Sequence, residues 1–164
     1  LCASRAGAAE CAEMDGKRYL LTNKHVIYGQ KRVVAFFSNG KKLKFGAMEV
    51  AENADLVRFT IATNHPVFNV SSHEPKMHES VKIYGNSDGK GVITEIKGEI
   101  IGIGPKELEV SSEFVQGNSG SALLNDLGEV VSYSYEKTEQ NTNGQNDFLI
   151  SVRFIFYLSY LMIQ

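Results

Sequence analysis

Short apolar runs separated by turn residues dominate the chain and predict an all-β protein. The runs are rich in Val, Ile, Phe and Tyr and end at Gly, Asn or Asp, as strands of a sandwich or barrel do. The predicted strands are residues 19–21, 32–37, 42–50, 56–60, 80–84, 91–104, 107–111, 122–124 and 129–135. Dipeptides that tolerate positive φ predict the hairpin turns. They are Asp15-Gly16, Asn39-Gly40, Asp88-Gly89, Leu127-Gly128 and Asn143-Gly144.

A polar stretch that contains proline divides these strands into two groups. Residues 61–79 show no clear periodicity, so we expect one β-rich half over residues 1–68, a connector over 69–79 and a second half over 80–152. A site formed by both halves would lie in the cleft between them. Residues 153–164 are almost wholly apolar but too few for a membrane span, which needs about 20 residues. They predict a terminal helix docked on the core.

Composition and charge narrow the classes of partner. The chain has 164 residues, 43% of them hydrophobic, and can bury a sizeable core. The formal net charge is -2 and basic residues are interspersed with acidic ones, so no nucleic acid partner is expected. The cluster Lys41, Lys42 and Lys44 predicts a solvated hairpin tip. A secretory signal is absent from these residues or was removed before them.

The run Gln-Gly-Asn-Ser-Gly-Ser at residues 116–121 presents one serine hydroxyl on small, tightly turning backbone. Gly117 permits a turn that aims the N–H groups of Gly117 and Ser119 at one spot. Two such donors stabilise the negative oxygen of a tetrahedral intermediate. Taken alone, the run is equally typical of a polar hairpin turn.

A nucleophilic serine needs a base within hydrogen-bond reach and a third group that orients the base. His25 follows the predicted strand 19–21, which would deliver an imidazole from the edge of an apolar core. Asp55 stands at the start of the apolar run 56–59, where a buried carboxylate needs a partner such as a histidine N–H. The alternatives are a core histidine bonded to a backbone carbonyl and an aspartate that caps a turn.

The order His25, Asp55, Ser119 separates classes of hydrolase. All four histidines precede Ser119, which excludes the α/β-hydrolase order, and the elbow Gly-x-Ser-x-Gly fails because residue 121 is serine. The subtilisin order requires an aspartate before His25, where only Asp15, in a predicted turn, is available.

No metal or other cofactor is expected. The group His73, Glu74, His78 and Glu79 contains the needed ligand types, but Pro75 separates the histidines. Their spacing does not match His-Glu-x-x-His on one helical face.

Three blocks of the chain resemble the catalytic blocks of trypsin-like serine peptidases. They are Leu-Thr-Asn-Lys-His-Val-Ile at 21–27, Asn-Ala-Asp-Leu-Val at 53–57 and Gln-Gly-Asn-Ser-Gly-Ser-Ala-Leu-Leu-Asn at 116–125. Within that superfamily the chain most resembles the bacterial HtrA-type proteases, and Gly-Asn-Ser-Gly-Ser also resembles the glutamyl endopeptidases. Residues 7–12 replace the strand of Gly-Ser-Gly-Phe type that usually precedes the histidine block. No PDZ-like module follows in this sequence, so regulation by such a module is not assumed.

The resemblance implies a chymotrypsin-like fold of two packed six-stranded antiparallel β-barrels with a C-terminal helix. It implies Ser119 as nucleophile, His25 as general base and acid, and Asp55 as the orienting carboxylate. The oxyanion hole would be the turn of Gly117, Asn118 and Ser119, with the Gly117 and Ser119 amides as donors. A polypeptide substrate and a secreted or periplasmic location, rather than a cytoplasmic one, are also implied.

The resemblance further implies where the substrate side chain binds. The pocket would be lined by residues just before the serine and by the strand that follows it. These residues are Glu113, Phe114, Val115, Gln116, Ser132, Tyr133, Ser134 and Tyr135. We expect Phe114 to fill the pocket in part and to favour small or aliphatic side chains. The competing expectation places Glu113 at the pocket floor, where it would select Lys or Arg. Glutamyl endopeptidases carry a histidine where this chain has Tyr133 or Ser134, so selection of acidic side chains is not expected.

Two functional classes fit these residues. One is an active serine endopeptidase that works through an acyl-enzyme. The other is a catalytically silent peptide-binding module on the same fold, because an intact triad is necessary for catalysis but not sufficient.

Overall fold

The structure is a computed structural model that describes residues 2–4, 7–52, 54–86, 92–105, 107–112, 117–140 and 146–154. Within these ranges the protein is built from β-strands and one single-turn helix, α1 (Lys24–Ile27). The described residues contain no helix that is long and apolar enough to cross a bilayer.

The first half of the chain forms one curled sheet of eight strands. These are β1 (Cys2–Ser4), β2 (Gly7–Met14), β3 (Lys17–Thr22), β4 (Ala35–Phe37), β5 (Lys42–Leu43), β6 (Phe45–Val50), β7 (Val57–Ile61) and β8 (Phe68–Asn69). The sheet runs in the order β5-β4-β1-β2-β3-β7-β6, and β8 pairs with β2 in parallel. Lys44 alone separates β5 at one end from β6 at the other, so the backbone itself joins the two ends of the sheet.

The second half forms a closed barrel of six strands. These are β9 (Ser80–Gly85), β10 (Thr94–Ile103), β11 (Leu108–Val110), β12 (Ala122–Leu124), β13 (Val130–Gln140) and β14 (Asn146–Phe154). They follow one another around the barrel as β10-β11-β14-β13-β12-β9, and each adjacent pair is antiparallel. Closure by hydrogen bonds leaves no exposed edge among the six described strands of this half.

Apolar side chains fill three clusters, and the alternation of side chains along each strand assigns them. Leu123 of β12 packs inside the barrel, whereas Leu124 packs against residues of the first half such as Leu21 and Leu56. On β2, Cys11 packs inside the first sheet, whereas Ala12 belongs to the shared cluster. Because successive side chains of a strand point to opposite faces, β2 and β12 each join their own core to the contact between the halves.

The Asp15-Gly16 turn confirms its prediction. Asp15 has φ 51° and Gly16 has φ 70°, and the turn closes a β2–β3 hairpin in which Met14 pairs with Lys17. Two central residues with positive φ define the type I′ turn that suits the twist of a hairpin. The dipeptides Asp88-Gly89 and Asn143-Gly144 lie outside the described residues.

Two parts of the predicted architecture differ in the structure. The all-β class is confirmed, but two closed six-stranded barrels are not found, because the described strands of the first half close through Lys44 rather than through a β5–β6 ladder. The predicted terminal helix over 153–164 is not found where it can be checked. Arg153 and Phe154 extend β14, where they pair with Tyr133 and Ser132, and residues 155–164 lie outside the described residues.

Strand β2 is one of the elements that the pattern does not predict. Residues 7–12 are Gly, Ala and Glu with one Cys, and they lack the β-branched and aromatic side chains that are enriched in strands. Residues 8–12 are nevertheless buried on both faces, because one face of β2 packs inside the first sheet and the other packs against the second half. Tertiary packing therefore overrides local propensity here.

Candidate active site

His25 lies at the end of β3, where the chain turns into helix α1. Val26 is buried and fixes this single turn on the core, and Tyr28 N–H donates to the Lys24 carbonyl at 2.8 Å to close it. The His25 side chain is 48% exposed. The apolar strand thus ends in an anchored turn that presents the imidazole at the protein surface, as the sequence predicts.

Asp55 meets this imidazole from the neighbouring strand. Because β7 runs antiparallel to β3, with Val57 opposite Thr22, the start of β7 lies beside the end of β3. His25 Nδ1 lies 2.5 Å from Asp55 Oδ2, and the His25 backbone N–H donates to Asp55 Oδ1 at 3.1 Å. A carboxylate at Nδ1 favours the tautomer with the proton on that nitrogen, which makes Nε2 the basic nitrogen.

The environment of Asp55 keeps its carboxylate ionised. Burial acts to raise the pKa of Asp55, but the hydrogen bond and charge of His25 and the backbone N–H groups of His25 and Lys24 outweigh burial and hold this pKa below its ordinary value. These N–H groups belong to the first turn of α1, and the N-cap residue, Asn23, makes no side-chain capping bond. Asp55 therefore orients the imidazole and also caps the helix that carries it.

Asn23 is a positioning residue that the sequence reasoning did not single out. It is fully buried, and its Nδ2 donates to the Asp55 backbone carbonyl at 2.7 Å. This bond ties the β3–α1 junction to the loop before β7, so it helps to fix the distance between His25 and Asp55. The available signal was an asparagine between a predicted strand and the candidate base, a residue type that is common at helix N-caps.

Ser119 occupies a tight turn whose geometry requires a glycine. The Ser121 N–H donates to the Asn118 carbonyl at 3.0 Å, and Gly120 has φ 86°. A four-residue turn with positive φ at its third position is of type II. A Cβ at Gly120 would lie 2.3 Å from the Ala8 carbonyl oxygen and 2.7 Å from Thr22 Oγ1, so side chains are excluded by space as well as by φ.

Contacts across the two halves seat the serine turn beside the His25 strand. The Ala8 N–H of β2 donates to the Ser119 carbonyl at 2.9 Å, and Thr22 Oγ1 donates to the Ala8 carbonyl at 2.8 Å. Thr22 is the last residue of β3, three positions before His25. The structure thus brings a buried Ser119 from the second half against the strand end that leads to His25.

Asn118 anchors the same turn to the second half. It is fully buried and packs against Gly85 of β9, where a Cβ would lie only 2.0 Å from Asn118 Oδ1. Gly117, which precedes it, has φ 98°. The predicted oxyanion segment of Gly117, Asn118 and Ser119 is therefore held by β9 on one side and by β2 on the other.

The predicted specificity residues are described only in part. Glu113, Phe114, Val115 and Gln116 lie outside the described residues. Ser132, Tyr133, Ser134 and Tyr135 lie in β13, and Ser132 is fully buried. Because Tyr133 pairs with Ala122, the first residue of β12, this strand runs beside the segment that follows the Ser119 turn.

Comparisons with known proteins show the family to which this chain is similar. A family model described as trypsin-like peptidase domain matches residues 11–132. A glutamyl endopeptidase of Staphylococcus epidermidis is 26% identical over 161 residues of the alignment, and the match covers 82% of this chain and 57% of that protein. A serine protease Do-like HtrA of Lactobacillus helveticus is 28% identical over 145 residues, covering 79% and 35%.

A solved structure extends the similarity to the fold. The crystal structure of the serine endoprotease from Yersinia pestis superposes with a TM-score of 0.69 and 26% identity, over 96% of this chain and 53% of that chain. In each of these cases the chain spans only about half of its relative, or less.

Proposed function

Because the chain belongs to the family of trypsin-like peptidase domains, we propose that it is a serine endopeptidase with Ser119 as nucleophile, His25 as base and Asp55 as orienting carboxylate. The observation that carries this proposal is the 2.5 Å contact between His25 Nδ1 and Asp55 Oδ2. A carboxylate that engages both the ring and the backbone of one histidine leaves that histidine a single orientation, which a general base requires.

In the first half-reaction the Ser119 oxygen attacks the carbonyl carbon of the scissile peptide bond while its proton passes to His25 Nε2. The carbonyl oxygen becomes an oxyanion, which accepts hydrogen bonds from the N–H groups of Gly117 and Ser119. The C–N bond then breaks, and His25 returns the proton to the departing amine. The product is an acyl ester on Ser119.

The second half-reaction repeats these steps with water. His25 takes a proton from water, the hydroxyl adds to the acyl carbon, and the tetrahedral intermediate expels the Ser119 oxygen, which regains its proton from His25. Asp55 stabilises the imidazolium each time it forms. The lowered pKa of Asp55 keeps the carboxylate available for this role across the neutral pH range.

We also propose cleavage after small or aliphatic residues. Phe114 would fill part of the pocket, and the β13 residues Ser132 to Tyr135 would form the facing wall. The pairing of Tyr133 with Ala122 supports the second part, because it runs this strand alongside the residues after the serine turn. A secreted or periplasmic location belongs to the same proposal and rests on the family resemblance.

The experiment that tests the function is cleavage-site profiling on a denatured proteome, comparing the wild type with Ser119→Ala. We expect cuts after small or aliphatic residues that disappear in the variant. Phe114→Ala should admit larger side chains, whereas Glu113→Gln should leave the profile unchanged. A folded wild type that produces no cuts would favour the silent peptide-binding module.

A further inference from the structure

A basic cleft lies on the first half of the molecule, away from the catalytic residues. It has a volume of about 410 Å³ and opens between the β4–β5 hairpin and the segment that follows β7. We name this concavity the lysine cleft, and its lining includes Phe37, Lys41, Lys42, Lys44, Asn64 and His65. From these residues we propose that the lysine cleft is an exosite for acidic polypeptide segments.

The charge of the lysine cleft is uncompensated. Its three ammonium groups make no ion pair within the described part of the chain, and no described acidic residue lines the cleft. Some cations elsewhere do have partners: Arg18 pairs with Glu13 at 3.1 Å and Lys97 with Glu95 at 3.4 Å. The whole chain carries a net charge of -2, so the positive charge of the lysine cleft is opposite in sign to the net charge of the protein. This local positive charge favours an anionic partner.

The hairpin that carries the lysines is ordered by its own hydrogen bonds. Lys41 N–H donates to Asn39 Oδ1 at 3.0 Å, and Phe37 N–H donates to the Lys41 carbonyl at 2.8 Å. Leu43 is buried in the core of the first half, and the rings of Phe37 and His65 lie 4.3 Å apart between their centroids. A preformed frame lowers the entropy that a ligand must lose, so these lysines are better placed to bind than those of a loose tip.

A second concavity continues the basic surface. It has a volume of about 860 Å³, and Lys17 and Arg18 are among the residues that line it. Residues 62–64 line both concavities and so lie between them. Arg18 also donates to the Thr63 carbonyl and so braces the shared segment, while Lys17 is exposed. Two concavities in a row, with the three lysines on one side and the exposed Lys17 on the other, match an extended chain of several carboxylates better than a single small anion.

The position of the cleft separates it from catalysis. Asp55 precedes β7, whereas residues 62–65 follow it, so the five residues of this strand lie between them. At about 3.3 Å per residue the separation is about 20 Å. An extended substrate therefore needs at least about six residues between its acidic segment and the scissile bond. This spacing requirement rests on the proposed peptidase function, whereas binding of the acidic segment does not.

Equilibrium binding tests the exosite independently of peptidase activity. The probe is a fluorescein-labelled octapeptide of D-glutamate, and the protein is the full chain. The triple variant Lys41→Gln/Lys42→Gln/Lys44→Gln should raise Kd at least about tenfold. The matched control Lys31→Gln/Arg32→Gln/Lys76→Gln, which removes the same charge at exposed cations outside both concavities, should change Kd less than about twofold. Binding should also weaken as salt is added.

Several results would overturn the exosite. They are an equal loss of affinity in both triple variants, no saturable binding at low salt, or equal binding of the D-glutamine octapeptide. Competition by inorganic phosphate at the same molar concentration would indicate a single-anion site instead. Tighter binding of a single-stranded DNA octamer or of anionic vesicles would indicate another class of partner. Thermal unfolding checks that the variants fold. We also expect each of the single variants Lys41→Gln and Lys44→Gln to raise Kd about twofold.

In the peptidase assay, an acidic segment about six or more residues from the scissile bond should lower KM several-fold and leave kcat unchanged. The Lys41, Lys42 and Lys44 variant should lose that gain. If no substrate is cleaved while the binding results hold, the peptidase proposal fails and the exosite stands.

Discussion

Gly120 of the serine turn rests against Thr22 at the end of the histidine strand, and a Cβ at Gly120 would lie 2.7 Å from Thr22 Oγ1. This contact joins a residue adjacent to the proposed nucleophile in the second half to the strand that delivers the base in the first. The absence of a side chain at Gly120 therefore allows the two halves to approach this closely. Any change that widens this contact should separate nucleophile and base.

Gly120→Ala tests this contact. The new methyl group meets the Ala8 carbonyl and Thr22 Oγ1, and a positive φ costs alanine about 1–2 kcal/mol. We expect kcat/KM to fall about a hundredfold and the free energy of unfolding to fall by more than about 2 kcal/mol. Gly128→Ala is the matched control, because Gly128 has φ 75° but nothing within 4 Å of its Cβ position. Gly128→Ala should lose only the stability that a positive φ costs an alanine, and it should keep its peptidase activity. An equal loss of activity in both variants would argue against the contact between Gly120 and Thr22.

Asn23→Ala should lower kcat more than it raises KM. The variant removes the bond to the Asp55 carbonyl and leaves that buried region short of a donor, which costs about 1–3 kcal/mol of stability. Steady-state kinetics and urea unfolding measure the two effects. Asn69→Ala, at an exposed asparagine, should change stability by less than about 0.5 kcal/mol. A stability loss in Asn23→Ala without any change in kcat would remove Asn23 from the positioning of Asp55.

Asp55→Asn should lower stability in a pH-dependent manner. The pKa of Asp55 is lowered in the folded state, so its ionised form adds stability above the carboxyl pKa of the unfolded chain, about 3.9. This contribution is lost as pH falls through the lower folded pKa. The difference in unfolding free energy between wild type and Asp55→Asn should therefore be largest near neutral pH and shrink below about pH 4. Denaturant unfolding across this range measures it, with Asp126→Asn as the exposed control. A difference that stays constant with pH would contradict the stabilising role of the carboxylate.

Much of the site follows from the sequence because its parts are local. His25 follows directly after an apolar strand, and Asp55 directly precedes an apolar run, so both side chains fall beside strand ends without knowledge of the fold. Antiparallel pairing of β3 with β7 then brings them together. The Asp15-Gly16 turn could also be predicted, because aspartate and glycine tolerate the positive φ that both residues adopt there.

The parts that could not be predicted depend on tertiary contacts. Strand β2 has no strand-like composition and exists because β1 and β3 flank it, yet its Ala8 supplies the contact to Ser119. Asn23 acquires its role only when the Asp55 carbonyl is brought to it. The lysine cluster reads as a solvated tip in sequence, and it lines a cleft only because residues 62–65 pack beside the hairpin.

The most direct measurement of the central claim is labelling by a fluorophosphonate probe, located by mass spectrometry of the labelled peptide. The proposed triad predicts a covalent adduct on Ser119, absent in Ser119→Ala, strongly slowed in His25→Ala and Asp55→Asn, and unchanged in the exposed control Ser72→Ala. Absence of labelling in folded wild-type protein, or labelling that survives Ser119→Ala, would contradict it.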